Sequence, residues 1–296
     1  MTIEIVETDR EPLASVLNTL RLTRVGDHNY RAETNLPQLS GRIYGGQVLA
    51  QAIVAATDTL EDEGRLIHSQ TAAFLAPGDV KKPLDIEVKI VNDGRSFSTR
   101  RILVRQDGAT IFSARDSFQL RQDGVEHHDR PPEVPWPDEL RSSVEIFSSV
   151  DHPAARFMSS TNAIDIRHVD GDMYLQPNPS RSSTPRIWFR TRSPLPDSTP
   201  QALQRAMLAY AADQFMLEPI MHAHGLCWAS PGISLATLDH TTWWHRDVNC
   251  SDWVLAELHS PSAQGGRGLT LAKFFQAGTL VATMAQEGMI RIPSSA

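Results

Sequence analysis

The sequence predicts an α+β fold in which one long helix followed by several antiparallel strands occurs twice along the chain. Three observations carry this. A helical pattern leads a group of strand-like segments in each half. A shift of 170 residues brings the two strand groups into register without a gap. A proline-rich, polar stretch separates them.

In the first half GGQVLAQAIVAATDTL (45–60) is helical: Leu49, Ile53, Ala56 and Leu60 fall on one stripe, and the alanines that fill the rest let a sheet approach closely. The apolar segment HSQTAAFLAPGD (68–79) follows. LDIEVKIV, STRRILVRQ and TIFSARDSFQL then read as strands, with Asp107-Gly108 as a hairpin turn. In the second half a helix over about 201–218 enters through Pro200 and stops near Pro219. SLATLDHTTWWHRD (234–247), WVLAELHS, GLTLAKFFQ and TLVATMAQEGMIRI repeat the strand order, and Ala277-Gly278 sits where Asp107-Gly108 sat. At the 170 offset Phe74 falls on Trp244, Glu87 on Glu257, Gly108 on Gly278 and Ser113 on Thr283. The helices do not keep that offset, so the helix-to-strand loops differ in length. The halves are set at 1–125 and 181–296, and 126–180, with RPPEVPWPDEL and LQPNPSRSSTPR, reads as a linker with one helix near 138–148. Each sheet wraps around its own helix. Pairing the two sheets edge to edge removes two exposed edges.

Composition limits the function classes. Among 296 residues, 41% hydrophobic and 21% charged is globular rather than disordered. A net charge of -7, with scattered basic residues, offers no broad attraction to nucleic acid or to an anionic membrane. The two cysteines, Cys227 and Cys250, form neither a CxxC motif nor a disulfide framework, which suits a reducing compartment. The start, MTIEIVETDREPLASVL, is broken by charge and is not a secretory signal. No run of about eighteen apolar residues is present. The end, RIPSSA, matches no retention or peroxisomal address. A cytoplasmic location is expected.

No GxSxG elbow, GxGxxG or Walker loop, or HExxH motif is present, and GGRG at 265–268 has turn spacing. The loose pairs His222/His224 and His240/His245 do not make a metal centre, and none is expected. Three polar residues stand out. Asp213 shares a helical stripe with Ala206, Tyr210 and Leu217, so a carboxylate lies among apolar neighbours. Held by donors it could orient a water or take its proton; it is also readable as a structural Asp bonded to backbone. Gln286 is the polar exception on the face formed by Leu280, Ala282, Met284, Gly288 and Ile290, and Glu287 points the other way. A buried amide must find partners, in a site or across strands. Thr237 offers a hydroxyl, but alternation leaves its face unresolved. Gly45 and Gly46 precede the first helix, where free N–H groups attract negative charge or simply make a turn.

Taken together, these stretches resemble the acyl-CoA thioesterase II family, whose members have a double-hotdog fold. The resemblance runs from about residue 20 to 291 and rests on GRIYGGQVLAQAIVAA (41–56), HSQTAAFLAPGD (68–79), DGRSFSTRR (93–101), LAYAADQ (208–214), ATLDHTTWWHR (236–246) and QEGMIR (286–291). It implies a catalytic set of Asp213, Thr237 and Gln286 holding the water that cleaves the thioester of an acyl-CoA, with no cofactor. It further implies an oxyanion donor at Gly45 or Gly46, and arginines for the CoA phosphates, for which Arg100, Arg101 and Arg267 are candidates. By the 170 offset Thr237 falls on Ile67 and Gln286 on Asp116, so one active centre per chain is expected, between the halves. The chain departs from the family at Thr71, Ala73 and Ala223. Two rival readings remain: a hotdog hydratase or dehydratase, and a non-catalytic acyl-CoA binding protein. The adjacent Asp239-His240 pair weighs against the former, because neighbours on a strand point to opposite faces. Assembly into homo-oligomers is left open by the sequence.

Overall fold

The computed structural model describes residues 3–34, 36, 39–62 and 64–292; the last four residues, within RIPSSA, lie outside the described residues. In chain order the elements are α1 (Leu13–Thr19), β1 (Thr23–Gly26), β2 (Asn29–Ala32), α2 (Gly45–Asp58), β3 (Arg65–Phe74), β4 (Leu84–Asp93), β5 (Phe97–Gln106) and β6 (Ala109–Leu120). They continue with α3 (Ser143–Ser148), α4 (Pro153–Thr161), β7 (Ile164–His168), β8 (Arg186–Thr191), α5 (Gln201–Ala212), α6 (Glu218–Ala223), β9 (Ser234–Trp244), β10 (Val254–Gln264), β11 (Arg267–Gln276) and β12 (Thr279–Arg291).

The predicted α+β double hotdog is what forms. Twelve strands make one sheet in the order β1-β2-β4-β5-β6-β3-β9-β12-β11-β10-β8-β7. β4, β5 and β6 recur as β10, β11 and β12 at the 170 offset, because the hairpin loops of the two halves have equal length. Asp107 and Gly108 adopt φ of 50° and 81°, and Ala277 and Gly278 adopt 49° and 81°. Two successive left-handed residues give the tight turn whose twist matches an antiparallel pair. The halves meet edge to edge through β3 and β9. Thr71 pairs with Thr241, its own equivalent at the 170 offset, while Ser69 pairs with Trp243 and Ala73 with Asp239. The molecular pseudo-twofold therefore passes between Thr71 and Thr241.

Helices α2 and α5 pack on each other and on this sheet. Every residue of α2 after Gly45 is buried, and alanines at 50, 52, 55, 56, 206, 209, 211 and 212 let the backbones approach. Leu49 and Ile53 anchor the shared core, each burial stabilising by roughly 1.5–3 kcal/mol. Leu13, Val16 and Leu17 of α1 belong to the same core.

Several sequence expectations change. The segment 126–180 carries α3, α4 and β7, and β7 pairs with β8 to form the outer edge of the sheet. The helix expected near 138–148 is present as a 3-10 turn at Pro137–Glu139 and then α3, which starts where Ser142 and Glu145 form a capping box. The second long helix ends at Ala212 rather than near 218. There the chain tightens, with Gln214 N–H bonded to Ala211 O and Phe215 N–H to Ala212 O, and Pro219 opens α6 instead of closing α5. Leu280 leaves the inner face because β12 has an extra residue between the partners of Phe274 and Phe275. Trp244 is a core aromatic, whereas Trp243 is 42% exposed.

Candidate active site

Asp213 is the C-cap of α5, carried to that place by the helix end just described. The start of α2 comes up against it. Tyr44 O–H donates to Tyr210 O (2.6 Å), and the Tyr44 and Tyr210 rings meet edge to face at 5.1 Å. The approach leaves no space for side chains at 45 and 46. A Cβ on Gly45 would lie 2.7 Å from Asp213 Oδ2, and one on Gly46 would lie 2.5 Å from Tyr210 O. The Gly46 N–H donates to the Asp213 carboxylate. This commits the Gly46 N–H to the carboxylate, while the Gly45 N–H lies in the first helical turn, where no intrahelical acceptor is available.

Strands β9 and β12 bring the other two groups. Gln286 faces His240 across the pair, and Glu287 faces Asp239. Gly288 then faces Thr237, so Leu238 has no partner. This bulge turns Thr237 onto the same face as His240 and Gln286, which strict alternation would forbid. Thr237 Oγ1–H donates to Asp213 Oδ1 at 3.2 Å, and Gln286 Nε2–H donates to Thr237 Oγ1 at 3.0 Å. Gly288 allows the closure: a Cβ there would lie 2.4 Å from Leu217 Cδ2. The structure thus brings Asp213, Thr237 and Gln286 within contact of one another, with Gly45 and Gly46 beside them.

Burial pushes the Asp213 carboxyl above its ordinary value; His240, the Thr237 hydroxyl, the Gly46 N–H and the Gln286 amide pull the other way. Burial likewise lowers the His240 imidazole, opposed by Asp213 and Gln286. His240 Nδ1 lies 2.7 Å from Gln286 Oε1 and its Nε2 lies 2.9 Å from Thr242 Oγ1. In the sequence His240 is weighed with His245 as a metal pair and with Asp239 as a hydratase pair, but not with Gln286. Asp239 is exposed and His240 buried, on opposite faces. The signal in the sequence is alternation: His240 and Thr242 fall on the same strand face as Trp244, as Gln286 falls on an apolar face of β12.

The three arginines do not gather at this place. Arg100 is fully buried and spent: it bonds Asp93 at 2.7 Å and Thr59 Oγ1 at 2.7 Å. Thr59 caps the far end of α2, about 20 Å along the helix from Gly45. Arg100 is therefore a structural residue and is withdrawn as a phosphate ligand. Arg101 is exposed on the outer face of β5. Arg267, at the start of β11, pairs with Glu287 at 3.1 Å on the surface. Thr71, one of the departures from the family, is exposed on the outer face of β3. Cavities of about 640 and 790 Å³ lie on either side of the Ile3–Val6 segment, near Asp58, Leu60 and Pro200, at the opposite end of α2 from Asp213. Among the described residues, no three His, Cys, Asp or Glu side chains group so as to hold a metal ion. No described helix is long and apolar enough to cross a membrane.

Comparison with known proteins agrees with this architecture. Residues 35–119 match the family model of the acyl-CoA thioesterase N-terminal domain, and residues 128–290 match that of the acyl-CoA thioesterase C-terminal domain. Two such domains in tandem over one continuous sheet define a double-hotdog thioesterase. The chain is 32% identical to acyl-CoA thioesterase 2 of Haemophilus influenzae over 94% of its own length and 98% of that protein. It is 31% identical to human acyl-coenzyme A thioesterase 8 over 85% and 81% of the two chains. The acyl-CoA thioesterase II TesB2 from Mycobacterium marinum superposes with a TM-score of 0.78 at 35% identity, covering 95% of this chain and 100% of that one. The chain belongs to the acyl-CoA thioesterase II family, and it is an enzyme of that kind.

Proposed function

We propose that the protein hydrolyses fatty acyl-CoA to a free fatty acid and CoA through a water molecule held by Asp213, Thr237 and Gln286. The observation that supports this reading is their direct contact, 3.2 Å and 3.0 Å across two hydrogen bonds, at a buried helix end. A carboxylate raised by burial is a stronger base than a free one, which suits it to accept a proton near neutral pH.

In the proposed step the water oxygen bonds to the thioester carbonyl carbon while one of its protons passes to the Asp213 carboxylate. The carbonyl π pair moves onto oxygen, and the Gly45 N–H stabilises that charge. The tetrahedral species then collapses: the carbon–sulfur bond breaks, CoA leaves as thiolate, and the proton on Asp213 returns to solvent or to the thiolate. A thiolate leaves readily, so no separate general acid is needed, and no acyl-enzyme forms. Arg101 and Arg267 remain the proposed contacts for the CoA phosphates. Arg267 is the better placed, since it pairs with Met289 on β12, three residues beyond Gln286. Its exposed ion pair with Glu287 is worth under about 1 kcal/mol and exchanges readily for a phosphate.

A thiol-release assay across acyl-CoAs of graded chain length tests the reading. Turnover that rises to an optimum at one chain length supports it. Saturable binding without thiol release would instead assign a binding protein, and hydration of an enoyl-CoA without thiol release would assign a hydratase.

A further inference from the structure

The structure assigns His240 the role of a positioning residue that fixes the Gln286 amide with its N–H groups aimed at the Asp213 end of the site. The inference rests on the reading of Asp213 as the base.

The direction of each bond is fixed by which atoms can donate. The Asp213 carboxylate only accepts, and Thr237 has a single proton, which it gives to Asp213 Oδ1 at 3.2 Å. The end of Gln286 that meets Thr237 must then be the NH2 group, and Nε2 lies 3.0 Å from Thr237 Oγ1. Its oxygen is thereby turned to His240, whose Nδ1 at 2.7 Å must carry a proton to bond it. His240 Nε2 is left as an acceptor, and the Thr242 hydroxyl fills it at 2.9 Å. The whole chain runs one way: Thr242 to His240, His240 to Gln286, Gln286 to Thr237, Thr237 to Asp213. His240 and Thr242 are completely buried and Gln286 nearly so, so water does not compete for these bonds. Burial also favours the neutral ring that this order requires.

The consequence is an oriented water. The second Gln286 N–H donates to one lone pair of the water oxygen. The two water protons find acceptors in Asp213 and the remaining lone pair of Thr237. The other water lone pair is left to attack the carbonyl. Without His240 the terminal torsion of Gln286 is nearly two-fold, and a flip would set its oxygen against Thr237 and the carboxylate. The first half offers a control. At the 170 offset His240, Thr242, Gln286 and Thr237 become Gln70, Ala72, Asp116 and Ile67. There the Gln70 amide and the Asp116 carboxyl face each other across β3 and β6, and Ile67 has no hydroxyl to carry the bonds onward. The donor chain exists only in the half that holds Asp213.

Two substitutions separate positioning from packing. In His240→Asn the side-chain NH2 takes the place of Nδ1–H; in His240→Leu no donor remains. Both lose the bond to Thr242. The expected result in the thiol-release assay is a kcat at least about tenfold lower for His240→Leu, the scale of one lost buried hydrogen bond, with KM within about twofold of wild type. His240→Asn recovers most of that loss. Equal kcat in the two variants, or an unaffected His240→Leu, overturns the role. Nitrogen NMR of the histidine-labelled wild-type protein gives a reading that needs no altered fold: a neutral ring protonated on Nδ1 is expected, and an Nε2-protonated or doubly protonated ring contradicts it. Asp213→Asn distinguishes the two levels of failure. If Asp213→Asn turns over normally, the base reading itself fails. If it is inactive while His240→Leu is normal, only the positioning role fails.

Discussion

Replacing Asp116 by Asn should stabilise the protein at high pH and do so less and less as pH falls. Asp116 lies on β6, fully buried, facing Gln70 on β3. Burial pushes its carboxyl from 3.8 up to about 7, which the neighbouring Gln70 amide only partly offsets. The folded state therefore holds this proton more tightly than the unfolded chain does. Between 3.8 and about 7 the unfolded chain carries fewer protons at this site, so stability falls as pH rises through that window. At about 1.36 kcal/mol per pH unit, the ionised carboxylate costs about 4 kcal/mol above pH 7 and roughly 2 kcal/mol at pH 5. Asparagine keeps the shape and has no charge to bury. Urea unfolding of both proteins at pH 8 and pH 5 should show Asp116→Asn favoured by about 2.6 kcal/mol more at the higher pH. A stability difference that does not change with pH would refute the reasoning, because it would mean that Asp116 is not held neutral by its surroundings.

Gly46→Ala sets a methyl 2.5 Å from the Tyr210 carbonyl, a backbone atom that cannot step aside, so thioesterase turnover should collapse and thermal unfolding should report a loss of about 1–3 kcal/mol. Gln286→Glu keeps size and removes the amide donors, so kcat should fall about tenfold or more in the thiol-release assay, even where circular dichroism shows the fold intact. Glu218→Ala leaves the buried His168 and the partly exposed Trp228 without the carboxylate that they bond at 2.7 and 2.9 Å, and should cost about 3–5 kcal/mol in denaturant titrations. Because a base must be deprotonated to act and burial raises Asp213, the acid limb of kcat against pH should fall at a pH above the ordinary aspartate range.

Much of this was legible in the chain, and the parts that were not have physical reasons. The 170 offset located six strands because the turns at Asp107-Gly108 and Ala277-Gly278 keep the hairpins equal in length. β7 escaped notice because it is a five-residue edge strand inside a proline-rich stretch, where local composition signals a loop and long-range pairing decides otherwise. Asp213 and Gln286 showed themselves as polar residues on apolar faces. Thr237 could not, since a bulge at Leu238 overrides the alternation that a sequence reader depends on. Arg100 looked available for phosphate, but the sequence does not reveal that Asp93 and Thr59 consume its donors. His240 was visible as a residue but not as a bond, because its partner lies on another strand forty-six positions away.

The claim that one water held at the end of α5 does the chemistry is tested most directly by the turnover of Asp213→Asn. The variant is nearly isosteric and keeps an acceptor for the Thr237 hydroxyl, but it cannot take a proton. The expected kcat for thiol release is at least about a hundredfold below wild type, with acyl-CoA still bound. A kcat within a few fold of wild type would contradict it.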